Sequence, residues 1–113
     1  MTTRLKGKRY KEVFAAGKSS RGRFLVAWSL ADGKSTGKAG VVVSKRSFHH
    51  AVDRNRAKRL MREAFRLLAK EGASPALTDW VFVGRVSLGS CKCQDVMADM
   101  RKVFSRRLEV AAK

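Results

Sequence analysis

Acidic side chains are scarce in this chain: 9 Asp and Glu stand against 26 Lys and Arg among 113 residues. A metal-dependent nuclease needs several clustered carboxylates, and that supply is thin here. Asp95 and Asp99 are four apart on a helical segment, but no other acid obviously joins them, so they read as first-turn acids that favour a helix dipole. Long apolar runs are also missing. No stretch of about 18 apolar residues occurs, which excludes a membrane-spanning helix. The basic residues do not form a surface-lying amphipathic helix with bulky anchors at one end, so a membrane partner is not expected. The opening Met1-Thr2-Thr3-Arg4-Leu5-Lys6 carries charge with no apolar stretch behind it, so no secretion signal is read and the cytoplasm is the expected location. Cysteine is limited to Cys91 and Cys93, one residue apart. A bridge between such close neighbours is strained, and the paired spacings of structural zinc sites are absent, so both read as free thiols. Pro75 is the lone proline, and there is no repeat or low-complexity tract.

What the chain does have is positive charge, a formal +17. Self-repulsion of that size opposes a compact state, and a polyanion that relieves it is the natural partner. Nucleic acid fits, because each phosphate contact releases condensed counterions. The chain is not a disordered basic tail, since 44% of its residues are hydrophobic, enough for a real core. Its length suits one domain, residues 1–113, with an ordered core over about 8–108.

Tyr10, Val13 and Phe14 recur at helical spacing and predict a short helix from about Lys8 to Ala16, stopped by Gly17. Gly17 to Gly22 reads as a basic loop. Phe24 to Leu30 alternates, with Phe24, Val26, Trp28 and Leu30 on one face and Leu25, Ala27 and Ser29 on the other, the pattern of a strand. A turn over Ala31 to Lys38 leads to a second strand, Ala39 to Ser44, and the two are expected to pair as a hairpin. The strand from Arg23 is long enough to bend, so one extra break in this sheet is allowed. From His50 to Glu71 runs the longest helical pattern, with Ala57, Leu60, Met61, Ala64, Leu67 and Leu68 on one arc and Gly72 as its cap. Thr78 to Val86 reads as a buried strand around Trp80-Val81-Phe82-Val83. A last helix, from about Gln94 to Leu108, would turn Val96, Met100, Val103, Phe104 and Leu108 inward. Helix, two or three strands, helix, strand, helix make an α+β sandwich with helices packed on a small sheet.

The sharpest motif opens the long helix: Arg54-Asn55-Arg56-Ala57-Lys58-Arg59-Leu60-Met61-Arg62-Glu63. On a helical wheel Arg54, Asn55, Lys58, Arg59, Arg62 and Arg66 lie opposite the apolar stripe, and Arg56 falls near its edge. A merely solvated surface mixes signs, whereas these cations have only Glu63 among them. Arginine can hold two phosphate oxygens in one planar fork and can stack on a base. Asn55 adds a donor and an acceptor for a base edge, a 2′-hydroxyl or a metal-bound water. The bland reading is a basic helix kept for solubility, which needs far less charge than this.

The aromatic set Tyr10, Phe14, Phe24 and Trp28 is open to two readings. Such residues are often core. Alternatively Tyr10, Phe14, Val26 and Trp28 line a groove where an unpaired strand stacks its bases, with Lys45 and Arg46 supplying phosphate contacts beside it. Other motifs dissolve on inspection. Gly33-Lys34-Ser35-Thr36 resembles the end of a P-loop, but its first glycine position is Trp28 and it lies between strands. His49 and His50 lack an evident partner for acid–base work. No catalytic site on the protein is read.

The stretch Arg54-Asn55-Arg56-x-Lys58-Arg59-x-x-Arg62-Glu63 closely resembles the signature of the bacterial ribonuclease P protein family. Tyr10-Lys11-Glu12-Val13-Phe14, Gly40 to Arg46 and Asp79 to Arg85 follow the family order, so the resemblance spans about residues 8–108. It implies a ribosomal-protein-like two-layer α+β fold of order α-β-β-β-α-β-α, with a small mixed sheet and a left-handed βαβ crossover. It also implies that catalysis belongs to a large partner RNA whose magnesium requirement the protein lowers, with Mg2+ acting through that RNA and none assigned to the protein. The implied partners are ribonuclease P RNA and precursor tRNA, with no small-molecule substrate. By position, Arg54, Asn55, Arg56, Lys58, Arg59 and Arg62 would contact RNA. Tyr10, Phe14 and Trp28 would line the cleft for the 5′ leader, Trp28 standing where a smaller aromatic is usual.

Three other classes compete. A small ribosomal protein would explain the charge but not the dense Arg-Asn-Arg opening. A DNA-binding regulator would need a short helix-turn-helix before Arg54, where a valine-rich strand stands instead. An independent protein ribonuclease lacks the acids.

Overall fold

The computed structural model describes residues 5, 7–31, 37–72, 78–86, 88 and 91–112, with side chains described to residue 106. Helix α1 (Gly7–Ala16) leads into strands β1 (Lys18–Arg21), β2 (Leu25–Leu30) and β3 (Ala39–Val42). Helix α2 (Ala51–Lys70), strand β4 (Asp79–Gly84) and helix α3 (Cys93–Ala112) follow. The architecture is α+β with a mixed four-stranded sheet, in the order β1-β2-β4-β3. Most of the Ala31–Lys38 turn, including the P-loop look-alike, and the inward placement of Leu108 fall outside the described residues and side chains.

Two expectations are corrected. The basic loop over Gly17–Gly22 contains β1, which pairs antiparallel with β2 from Lys18↔Ser29 to Arg21↔Val26. Its Lys-Ser-Ser-Arg composition carries no apolar alternation, because an edge strand with charged, exposed positions has little side-chain surface to bury. The expected hairpin of β2 with β3 does not form either. Strand β4 lies between them, antiparallel to β2 and, through the α2 crossover, parallel to β3. The physical reason is burial: Trp80, Val81 and Phe82 are apolar toward both faces, and only a central strand can cover both.

The main core lies between the sheet and the α2/α3 layer, uniting Leu25, Ala27, Met61, Phe65, Leu68, Phe82, Met100 and Phe104. Phe65 was absent from the predicted arc, and Leu60 and Leu67 are only half-buried. Trp80 stacks parallel to Phe82 at 5.8 Å between centroids and meets Phe104 edge-on at 4.9 Å. Helix α1 covers part of the opposite face, where Leu5, Val13 and Val81 are buried with Tyr10, Trp28, Leu30, Val42 and Val83 around them. Gly72, at φ +77°, ends α2 as expected and donates to the Ala69 carbonyl at 3.1 Å.

Two buried acids hold these layers. Asp79 accepts from Arg9 Nε of α1 at 2.8 Å and from the Lys38 amide at 3.0 Å. Asp99 is 4% exposed and accepts the amides of Arg23 and Phe24 at 2.8 and 3.0 Å. Its reading as a first-turn acid is therefore corrected: it pins the β1–β2 turn onto α3. Gly22 is required there, since a Cβ would overlap the Asp99 carboxylate. Asp95 does lie in the first turn, where it accepts the Lys92 amide at 3.0 Å.

Candidate nucleic-acid interface

Helix α2 presents the motif cations in three settings. Arg54 is half-buried, and its Nη1 donates to the carbonyls of Phe48 and His49, both at 2.9 Å, tying the helix start to the segment before it. Arg56 donates from Nη2 to the Cys91 carbonyl at 2.9 Å, clasping the loop that enters α3. Asn55, Arg59 and Arg62 are exposed and Lys58 half-exposed. Arg59 and Arg62 make no hydrogen bond or ion pair among the described residues, so their full donor sets face outward. Farther along, Arg66 forks onto Glu63 at 2.6 and 3.1 Å, and that hydrogen bond holds the Glu63 carboxyl below its usual range. The basic arc of the wheel thus ends in a neutralised pair at Arg66.

Lys45 and Arg46 are exposed in the turn between β3 and α2, which Ser44 steadies by accepting the Ser47 amide at 3.1 Å. The aromatic set divides between the two readings. Phe24 packs against the main core. Tyr10 lies over Gly40, where any Cβ would overlap its ring, so glycine is what lets α1 approach β3. Phe14 is 38% exposed and meets Trp28 edge-on at 5.4 Å. Val26, Trp28, Val42 and Val83 are only half-buried. Beside α1 there is therefore an open apolar strip of sheet, walled by Phe14 and Trp28. Val42 borders it on β3, from which the chain runs through Lys45 and Arg46 into the motif.

Cys91 is buried and Cys93, the first residue of α3, half-buried; neither is bridged in a disulfide. Burial pushes both thiols above their ordinary value, helped by Asp95 and Asp99 at Cys91 and by Glu63 at Cys93. Among the described residues, no three His, Cys, Asp or Glu come together as a metal site. None of the described helices is long and apolar enough to cross a membrane.

The ribonuclease P family profile matches residues 2–108. The chain belongs to the ribonuclease P protein family. A ribonuclease P protein component of Pelotomaculum thermopropionicum is 38% identical over 101 residues, covering 89% of this chain and 88% of that protein. One from Clostridioides difficile is 32% identical over 97 residues, covering 86% and 83%. The solved ribonuclease P protein of Thermotoga maritima superposes with a TM-score of 0.76 at 27% identity, over 91% of this chain and 96% of that one. These likenesses support the ribonuclease P subunit over the ribosomal-protein alternative. Within the family fold, Arg9, Arg85 and Arg106, none of which the sequence had given a role, prove structural: Arg9 Nε donates to Asp79, Arg85 Nη1 to the Gly22 carbonyl and Arg106 Nη1 to the Arg21 carbonyl. No local signal marks Arg85 and Arg106, because their partners lie 63 to 86 residues away; Arg9 pairs with Glu12 in its own helix, but its bond to Asp79 spans 70 residues.

Proposed function

We propose that this ribonuclease P protein binds ribonuclease P RNA through the outward side of α2 and holds the unpaired 5′ leader of precursor tRNA in the strip beside α1. Arg59, Arg62, Lys58 and Asn55, with Lys45 and Arg46, supply the phosphate and ribose contacts. Arg54 and Arg56 each spend some of their donors on protein carbonyls and so also set the helix position. Phe14, Trp28, Tyr10 and Val26 offer faces on which bases stack. Hydrolysis belongs to the RNA and its Mg2+ ions, and the protein's cations lower the magnesium that the complex needs by neutralising phosphates. The setting is the cytoplasm. The observation that carries this reading is the adjacency of a half-exposed apolar strip and, along the β3 edge, cations that make no hydrogen bond or ion pair among the described residues.

The experiment is precursor-tRNA cleavage at low magnesium by a bacterial ribonuclease P RNA, with and without this chain. Stimulated cleavage at the mature 5′ end, lost when Arg59 and Arg62 are both alanine, is the expected result. Arg59 and Arg62 are preferred to Arg54 because they hold nothing else in the fold among the described residues. Tight RNA binding without stimulation would overturn the reading.

A further inference from the structure

The cross-strand register carries the strip beyond the residues so far assigned to it. Arg21 pairs with Val26, Val26 with Val83, and Val83 with Val42. Directly paired residues project from the same face, so these four form one row across all four strands on the α1 side. The adjacent row, Ser19–Trp28–Val81–Gly40, lies beneath α1: Val81 is buried, Phe14 meets Trp28 and Tyr10 covers Gly40. Among the described residues the Arg21 row is covered only in part, Val42 and Val83 packing at the margin of the Leu5, Val13 and Val81 cluster. The row's three valines are half-exposed and Arg21 is exposed. The Arg21 guanidinium makes no hydrogen bond or ion pair among the described residues, while its carbonyl accepts from Arg106 Nη1 at 2.8 Å and its strand is fixed by the Asp99-held turn. A preorganised backbone therefore presents an unengaged cation at the β1 end of an apolar floor. At the other end, past Val42, stand Lys45 and Arg46. With strands about 4.8 Å apart, the row spans roughly 14 Å.

We infer that Arg21 is a further contact to the unpaired 5′ strand, its guanidinium holding a phosphate at the β1 edge, at the far end of the strip from Lys45 and Arg46. This rests on the reading of the strip as the leader site. A strand laid along the row meets cations at both ends and an apolar valine floor between them, with Trp28 and Phe14 beside it for stacking. Arg21 then rewards only leaders long enough to cross the sheet, and it sets a dependence of affinity on leader length. The competing role for a charged residue here is to blunt an edge strand against pairing with another chain. That role concerns self-association and is indifferent to leaders.

The test uses the complex of this chain with a bacterial ribonuclease P RNA, titrated against mature tRNA and precursors with leaders of graded length at several salt concentrations. Arg21→Ala is expected to weaken binding of long-leader precursors several-fold and to spare short-leader precursors and mature tRNA. Its log–log salt slope should fall by about 0.7, the value for one single-strand phosphate contact, and Arg21→Lys should restore the slope. Phe14→Ala, run in parallel, separates the two readings. If Phe14→Ala abolishes the preference for long leaders and Arg21→Ala does not, Arg21 is no leader contact although the strip is the leader site. If neither changes it, the strip reading fails as well. Equal losses on mature tRNA, or self-association of Arg21→Ala with leader affinity intact, would likewise overturn the assignment.

Discussion

The two faces of the sheet are built from the same four strands and end differently. Toward α2 and α3, Leu25, Ala27, Trp80 and Phe82 are buried and interlocked with aromatic and methionine side chains. Toward α1, a ten-residue helix covers one row of the sheet and leaves the next half-open. The first face stabilises the fold through close packing, where every lost methylene costs. The second keeps apolar surface exposed, a cost that makes sense for a binding surface. Arginines divide the same way: Arg9, Arg85 and Arg106 are tied to protein oxygens, whereas the guanidinium groups of Arg21, Arg59 and Arg62 make no hydrogen bond or ion pair among the described residues.

The division can be broken most forcefully on the closed face. Phe82→Ala should destabilise the chain by about 3–5 kcal/mol in urea unfolding, whereas its neighbour Val83→Ala, facing the strip, should cost about 1 kcal/mol. Similar losses at both positions would erase the distinction between faces. Next in size, Asp99→Ala should lower stability by roughly 2–3 kcal/mol, since the Arg23 and Phe24 amides lose their acceptor. Hydrogen exchange at those two amides should quicken, and unchanged exchange would deny Asp99 its role. On the open face the signature moves from stability to binding. Trp28→Ala should cost about 1–3 kcal/mol in affinity for precursor tRNA and little for mature tRNA. Equal losses for both would make Trp28 a core residue. Smallest in stability are Arg59→Ala and Arg62→Ala, each expected within about 0.5 kcal/mol of the parent on unfolding. Each should still flatten the salt dependence of RNA binding by about 0.7–0.9 in log–log slope, and an unchanged slope would remove that arginine from the phosphate contacts.

The helices were legible because their signals are local. Periodicity located α2 to within a residue at each end, and the glycine after it marked its stop. The motif cations could be ranged on one side of a wheel without any structure. Strand β1 was not legible, because Lys-Ser-Ser-Arg has neither alternation nor bulk. Neither was the sheet order: β2 and β3 are both good strands and neighbours in sequence, and nothing local says that β4 must come between them. The role of Asp99 was misread for the same reason, its partners being 75 and 76 residues distant.

The sequence by itself determined the charge excess, the run of cations opening one long helix, and the identity of the apolar segments, since these follow from residue type and spacing. Only the tertiary structure decided which cations remain available, because engagement depends on carbonyls and carboxylates brought in from distant segments. It also decided that Arg21 joins Val26, Val83 and Val42 in one row. Strand pairing sets such neighbours, and register is a property of the assembled sheet.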